Sequence, residues 1–162
     1  MGNAHPNIVP YQVFACADGH FIAAVGNDGQ FTRFCAVLGV PELAGDERYA
    51  TNAARVKNRA ELVPLLAARI ATSERDVLLK AMEDAVVPAS PINTIPQVFA
   101  DPQVVHRGMK VELQEQGGGT LPSLANPIVI DGERQVAKTA SPRLGAHTEE
   151  VLALLSALAP KA

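Results

Sequence analysis

Polar groups gather at Asn3-Ala4-His5-Pro6-Asn7, beside a proline that stiffens the backbone. Two carboxamides and an imidazole on such a loop can aim N–H donors at a carbonyl or carboxylate oxygen, where fixed donors stabilise developing negative charge. The same residues also fit a plain polar chain opening, because termini are commonly poorly ordered. A second imidazole, His147, stands just before Thr148, where an apolar periodic stretch begins. It can face a ligand, or belong to a segment that anchors a last helix capped by Thr148. His20 falls in a strand next to a turn. His106 falls in the last turn of a short helix, where an imidazolium favours the helix dipole. Neither is assigned chemistry. Asp28, Asp76 and Asp101 sit where helix caps or first-turn acids belong, Asp18 sits in a turn, and Glu149 and Glu150 open the last helix. No acid–base carboxylate pair stands out. The nucleophile-elbow, zinc-helix, Walker and dinucleotide glycine patterns do not occur. Gly117-Gly118-Gly119 lies between two strand-like runs with no helix start behind it, which makes it a hairpin turn rather than a phosphate cradle.

The elements that position these groups follow from periodicity and punctuation. Residues 1–10 form an opening loop. Residues 11–16 and 20–25 are apolar runs around Ala17-Asp18-Gly19, and Asp-Gly between β-formers predicts a β-hairpin. Asn27 or Asp28 then caps a helix whose Phe31, Phe34, Cys35 and Leu38 share one face, closed by Gly39. Residues 41–50 are a connector, and a short helix follows over 51–57. Asn58 with Glu61 forms a capping box for a helix carrying Leu62, Leu65, Leu66 and Ile70. Pro64 is late for a first-turn proline, so that helix is expected to start near Ala60 or Glu61. Ser73 with Asp76 opens another, carrying Val77, Leu78, Ala81 and Met82. Pro88 and Pro91 restrict residues 86–95 to an extended connector or an edge strand. A helical turn over 96–100 precedes a helix that Asp101-Pro102 starts and Gly108 stops. Residues 109–114 alternate as a strand, and residues 120–124 and 127–130 are further extended pieces. Residues 134–143 are irregular, and the last helix carries Val151, Leu152, Leu155 and Leu158. The fold class is α+β, with a β-hairpin, a helical segment, a small antiparallel sheet and a C-terminal helix. The 162 residues group as a single domain: a loop over 1–10, an α+β body over 11–130, and a linker with the final helix over 131–162.

Bulk properties narrow the function classes. Apolar residues make up 48% and charged residues 19%, a globular balance; aromatics are 4%, with no tryptophan, so the core rests on aliphatic side chains. A net charge of -3 with scattered basic residues excludes a phosphate-tracking nucleic-acid surface. Cys16 and Cys35 lack metal-ligand or redox spacing and are expected to be buried, reduced thiols. No stretch is long and apolar enough for a membrane span, and the first residues show neither a basic leader nor an apolar signal core, so the expected location is the cytoplasm.

The ordered set of short motifs resembles the class III CoA-transferases, the formyl-CoA transferase and carnitine–CoA-transferase-like group. Gly2-Asn3-Ala4-His5-Pro6-Asn7-Ile8-Val9-Pro10-Tyr11-Gln12 is similar to the family's stretch from an active-site loop into the first hairpin of its smaller domain. Ala17-Asp18-Gly19-His20 and Ala24-Val25-Gly26-Asn27-Asp28-Gly29-Gln30-Phe31 follow in order, then Thr51-Asn52-Ala53-Ala54-Arg55-Val56 and Asn58-Arg59. Pro88 to Asn93 is similar to the family's VPAGPIN, with Ser90 where glycine is usual. Asp101-Pro102-Gln103, Arg107-Gly108-Met109 and the stretch from Pro142 to Leu152 complete the match. The resemblance implies the C-terminal part of an enzyme that moves CoA between carboxylic acids. CoA or acyl-CoA is then a substrate, with no covalently bound cofactor and no metal. It implies an aspartate nucleophile that forms a mixed anhydride and then an aspartyl-CoA thioester. That aspartate and most CoA contacts belong to the family's large N-terminal part, so no catalytic residue is assigned in this chain. Gly2, Asn3, His5, Pro6 and Asn7 carry over as substrate-binding loop residues. The family's interlocked homodimer implies a homo-oligomer, and a missing N-terminal half is the further implied partner, with no nucleic acid and no membrane.

Three functions follow as expectations. The first is a transferase fragment that is inactive alone. The second is a non-enzymatic binding or self-assembly module derived from the same family, associating through Val151, Leu152 and Leu155. The third and weakest is a small hydrolase or thioesterase with His5 or His147 as base, for which the sequence offers no oriented nucleophile.

Overall fold

The computed structural model describes residues 2–158. Met1, at the start of the opening loop, and residues 159–162, at the end of the C-terminal segment, lie outside the described residues. The sequence groups as one domain, whereas the structure divides at Asn93/Thr94 into two compact units.

The first unit is built on a three-stranded antiparallel sheet in the order β1-β2-β3. Strands β1 (Tyr11–Ala15) and β2 (His20–Ala24) form the expected hairpin, with Phe14 opposite Phe21. These two rings are both buried, 6.1 Å apart. Helix α1 (Asp28–Val37) starts where Asn27 Oδ1 accepts from the Gln30 N–H at 2.9 Å. Phe31, Phe34, Cys35 and Leu38 are buried, as their spacing predicts. Gly39 closes the helix at φ +71°, with its N–H bonded to the Ala36 carbonyl and the Val40 N–H to that of Cys35. The connector over 41–50 contains a short helix, α2 (Glu42–Gly45).

Helices α3 (Asn52–Lys57) and α4 (Arg59–Ile70) follow almost without a break. Asn58 ends one and begins the other, so its amide serves the first: Nδ2 donates to the carbonyls of Ala54 and Arg48, at 3.1 and 2.9 Å. The expected Asn58–Glu61 capping box is therefore absent, and Glu61 pairs with Arg48 instead. Helix α5 (Arg75–Asp84) has Glu74, not Ser73, at its N-cap. Its first N–H is taken at 2.7 Å by Asp18 Oδ1 from the hairpin turn, which ties sheet and helix together. Leu78 and Met82 are buried, while Val77 and Leu65 face solvent. Helix α4 packs on β1, and α5 on β2 and the edge strand β3 (Ala89–Ile92), which carries Pro91 in register with Phe21. An edge position lets proline join a sheet without a lost ladder bond.

The second unit opens with α6 (Ile95–Ala100) and α7 (Pro102–His106), the latter capped by Asp101, whose Oδ1 accepts from the N–H groups of Gln103 and Val104. Strands β4 (Lys110–Gln114) and β5 (Thr120–Leu124) pair as a hairpin. Gly117, Gly118 and Gly119 turn it at φ between +96° and +110°, a backbone that only glycine adopts freely. A second, smaller hairpin joins β6 (Val129–Ile130) to β7 (Glu133–Arg134). Within the polar stretch that follows, Thr139 bridges to Gln114. Helix α8 (Thr148–Leu158) starts at Thr148 itself, one residue earlier than a Thr148 cap implies. Small antiparallel sheets with helices make the chain α+β, as the sequence predicts. Among the described residues, no helix is long and apolar enough to cross a membrane.

Candidate functional site

The opening loop is pinned to the first unit by a row of side chains at 52, 55 and 59. Asn52 straddles it: Oδ1 accepts from the Val9 N–H at 3.1 Å, and Nδ2 donates to the Asn7 carbonyl at 2.8 Å. Arg55 is fully buried over the Phe31 ring, 4.4 Å from its centroid. Its Nε donates to the Val9 carbonyl at 2.7 Å, one terminal nitrogen to the Tyr49 carbonyl at 2.9 Å, and the other to Asp28 Oδ1 at 2.8 Å. Arg59 donates to the carbonyls of His5 and Pro6. The Val9 and Tyr49 carbonyls are buried and left unmet would cost about 1–3 kcal/mol each, so Arg55 anchors the loop's inner end, while Asn52 and Arg59 tether its exposed part.

On that frame His5 is held from both sides. Its backbone N–H donates to the Tyr11 carbonyl at 2.9 Å, and its ring stacks on Tyr11 at 5.3 Å between centroids. The Asn7 N–H donates to His5 Nδ1 at 3.1 Å. A neutral imidazole with Nδ1 as acceptor carries its proton on Nε2, so the hydrogen bond selects the tautomer that presents an Nε2–H donor. His5 lines a cavity of about 350 Å³ with Ala4, Ile8 and Val9 from the loop, Gln12 from β1, and Arg59, Ala60, Val63 and Pro64 from α4. The walls are mostly aliphatic, the polar groups are a carboxamide, an imidazole and a guanidinium, and no carboxylate lines it. Such a cavity suits a small ligand with an aliphatic body and an oxygen acceptor.

The other loop residues do structural work or remain open. Asn3 Oδ1 accepts from the Val13 N–H at 3.1 Å, which fastens the loop to β1. Gly2 sits at φ +58° with open space around it. Pro6 and Asn7 contribute backbone groups to the pinning and are exposed at their side chains. Of the five loop residues, His5 lines the cavity. His147 belongs to the second unit, where it lines an open groove with Pro142, Arg143, Leu144, Val151 and Leu152. Burial pushes the Cys35 thiol up to about 12 and also raises that of Cys16, so Cys35 stays a neutral core side chain and neither is poised as a nucleophile.

Sequence reasoning assigned no role to Asn52, Arg55, Arg59, Gln12, Val63 or Pro64. The 52/55 spacing was a usable signal, since residues three apart share one face of α3. Pro64 was another. Helix α4 begins at Arg59, and the Leu62 N–H already bonds to the Asn58 carbonyl, so Pro64 lies inside the hydrogen-bonded helix. It removes the N–H that would meet the Ala60 carbonyl, a choice costing about 3 kcal/mol in an ordinary helix interior.

Comparison with known proteins agrees with the motif order. A succinate–glutarate CoA-transferase of Agrobacterium fabrum is 46% identical over 158 residues, covering 98% of this chain and 40% of the relative. The human succinyl-CoA:glutarate CoA-transferase is 38% identical over 152 residues, covering 93% and 34%. The crystal structure of a CAIB/BAIF family protein from Brucella suis superposes with a TM-score of 0.79 at 49% identity, covering 96% of this chain and 40% of that one. The chain thus spans about two-fifths or less of the length of these relatives. Residues 1–148 match CoA-transferase family III, and the chain belongs to that family.

Proposed function

We propose that this chain supplies the C-terminal, smaller-domain part of a CoA-transferase acting on short-chain carboxylic acids such as succinate and glutarate, and that transfer needs a further part carrying the aspartate nucleophile. The observation that carries the reading is His5, held by Tyr11 and Asn7 as an Nε2–H donor at a small aliphatic cavity. In the reaction, the aspartate carboxylate attacks the thioester carbonyl and the CoA thiolate leaves, giving a mixed anhydride. The thiolate then attacks the aspartyl carbonyl and releases the first acid, giving the aspartyl-CoA thioester. The acceptor acid repeats the two steps in reverse. Each attack places charge on a carbonyl oxygen, which a preorganised N–H donor stabilises. CoA enters as substrate, and the reading includes a cytoplasmic homodimer without nucleic acid or membrane.

The test combines this chain with a separately expressed N-terminal part of the Agrobacterium fabrum relative and follows CoA transfer from succinyl-CoA to glutarate. Transfer is expected in the mixture and not with this chain alone. His5→Ala is expected to lower the rate about 10²-fold, the usual loss of one such donor. Transfer by this chain alone, or an unaffected His5→Ala mixture, overturns the reading.

A second reading, a self-assembly module, is favoured by α8, where Val151, Leu152, Leu155 and Leu158 are all exposed. A strictly monomeric chain in sedimentation equilibrium overturns it.

A further inference from the structure

We infer that α4, through Val63 and Pro64, sets the length of the aliphatic acid that the His5 cavity accepts. The inference rests on the transferase reading for the carboxyl end of the ligand and on the cavity for its apolar body, so the acids it concerns are monocarboxylates rather than the succinate and glutarate of the relatives. Donors and aliphatic walls are separated except at Arg59, which begins α4 beside Ala60. His5 supplies an N–H on the loop side and Gln12 a carboxamide on the β1 side, where a carboxylate or thioester oxygen would bind. Ala60, Val63 and Pro64 form an aliphatic wall on the helix side, where a hydrocarbon chain would lie. Arg59, the cation of the lining, donates to the His5 and Pro6 carbonyls and so braces the loop. A volume near 350 Å³ is at the lower end for small-molecule sites, about 300–1,000 Å³, which suits an acid of a few carbons and not a CoA moiety.

Pro64 is the second observation. A proline inside a hydrogen-bonded helix is a local choice against stability, and such choices concentrate where function demands them. Here its ring stands in the cavity wall beside the Ala60 carbonyl that it leaves without a helical N–H. A ring cannot swing aside as a flexible chain does, and Val63 is β-branched and stiff at χ1. A rigid wall discriminates length because a surplus methylene has nowhere to go and a missing one leaves a void.

The test titrates straight-chain monocarboxylates, from acetate to octanoate, into the 162-residue chain and follows the methyl NMR signals of Ile8 throughout and of Val63 in the wild type. Wild type is expected to show an optimum length. Val63→Ala is expected to move it to longer acids and Val63→Phe to shorter ones, each step changing relative affinity about tenfold, the usual worth of one methylene in an apolar pocket. Val77→Ala, on an exposed face of α5, is the control and leaves the order unchanged. Thermal melts identify folded variants, and Val63→Ala alone suffices if the phenylalanine variant does not fold. An unchanged length order in folded Val63→Ala, or Ile8 and Val63 signals unmoved by any acid, overturns the inference. The series needs neither CoA nor a second protein part. A shifted length order beside failed complementation therefore removes the transferase reading alone. An active mixture whose acid preference ignores Val63→Ala removes this inference alone.

Discussion

The two units of this chain use similar elements to different ends. Among the described residues, every buried apolar side chain except Ala125 lies before Asn93, together with the two buried arginines, Arg55 and Arg75. In the second unit the strands are half-buried at best, and Leu121, Leu124, Val129 and Ile130 are exposed, as is the apolar face of α8. Hairpins and caps are as regular there as in the first unit, so regular backbone does not by itself make a core. The first unit closes its aliphatic and aromatic surface and uses the surplus to hold a loop beside a cavity. The second offers apolar surface that its own described residues leave uncovered.

The comparison can be broken most directly by truncating one side chain in each unit. Phe34→Ala, in the first, is expected to cost about 3–5 kcal/mol, the usual loss for a large buried ring. Leu113→Ala, on the better-covered face of β4, is expected to cost about 1 kcal/mol or less. Urea denaturation followed by circular dichroism measures both, and equal losses would mean that the second unit carries a core that its burial does not reveal. Arg55→Met comes next. It keeps an apolar stem but leaves the Val9 and Tyr49 carbonyls without their donor, at about 2–6 kcal/mol for the pair. The expected signature is lower global stability together with faster protease cleavage in residues 2–9. Lower stability with an unchanged cleavage rate would show that Asn52 and Arg59 hold the loop without it.

What was legible in the sequence was periodicity and punctuation; what was not was any bond between distant segments. The helical face of Phe31, Phe34, Cys35 and Leu38 was plain because the spacing itself encodes it. Two of the three Asp-Gly pairs show the limit; the third, Asp28-Gly29, opens α1. At Asp18-Gly19 the pair marked a real hairpin, yet neither residue takes the left-handed backbone of a two-residue turn. Asp18 instead caps α5, and Gly19 lies under the Arg75 side chain. At Asp131-Gly132 both residues do have positive φ and close a two-residue hairpin, at a place where no turn was assigned because the flanking strands are two residues long. The Asn58–Glu61 box failed for a related reason: one asparagine joined two helices, and the amide could serve only one of them. The candidate loop was legible as a polar cluster and as a family-like string. The tautomer of His5 was not, because it depends on a backbone N–H two residues away and a ring six residues away folding back on it.

The smallest expected effect sharpens the comparison at one shared motif. Helices α1, α5 and α7 end alike: the residue after the cap sits at positive φ, and its N–H and the next one bond back to the helix carbonyls. In α1 and α7 that residue is Gly39 or Gly108, but in α5 it is Val86, at φ +54° and 73% exposed. A β-branched residue is out of place there, and the Arg33 guanidinium, donating to the Ala85 and Val86 carbonyls at 2.7 and 3.1 Å, is what braces the turn. Val86→Gly relieves about 1–2 kcal/mol of left-handed strain and costs roughly 0.5–1 kcal/mol in unfolded-chain entropy. The net expectation is a gain of about 0.5–1 kcal/mol and a melting temperature a few degrees higher. Gly39→Ala and Gly108→Ala run the other way. An added methyl at Gly39 meets Arg69 at 3.2 Å, while at Gly108 it meets open space. The first therefore combines backbone strain with displacement of the guanidinium that donates to the Leu38 carbonyl, and the second carries backbone strain alone. A larger loss at Gly39 than at Gly108, measured by thermal melts, is the expected result; equal losses would mean that the Arg69 guanidinium gives way without cost.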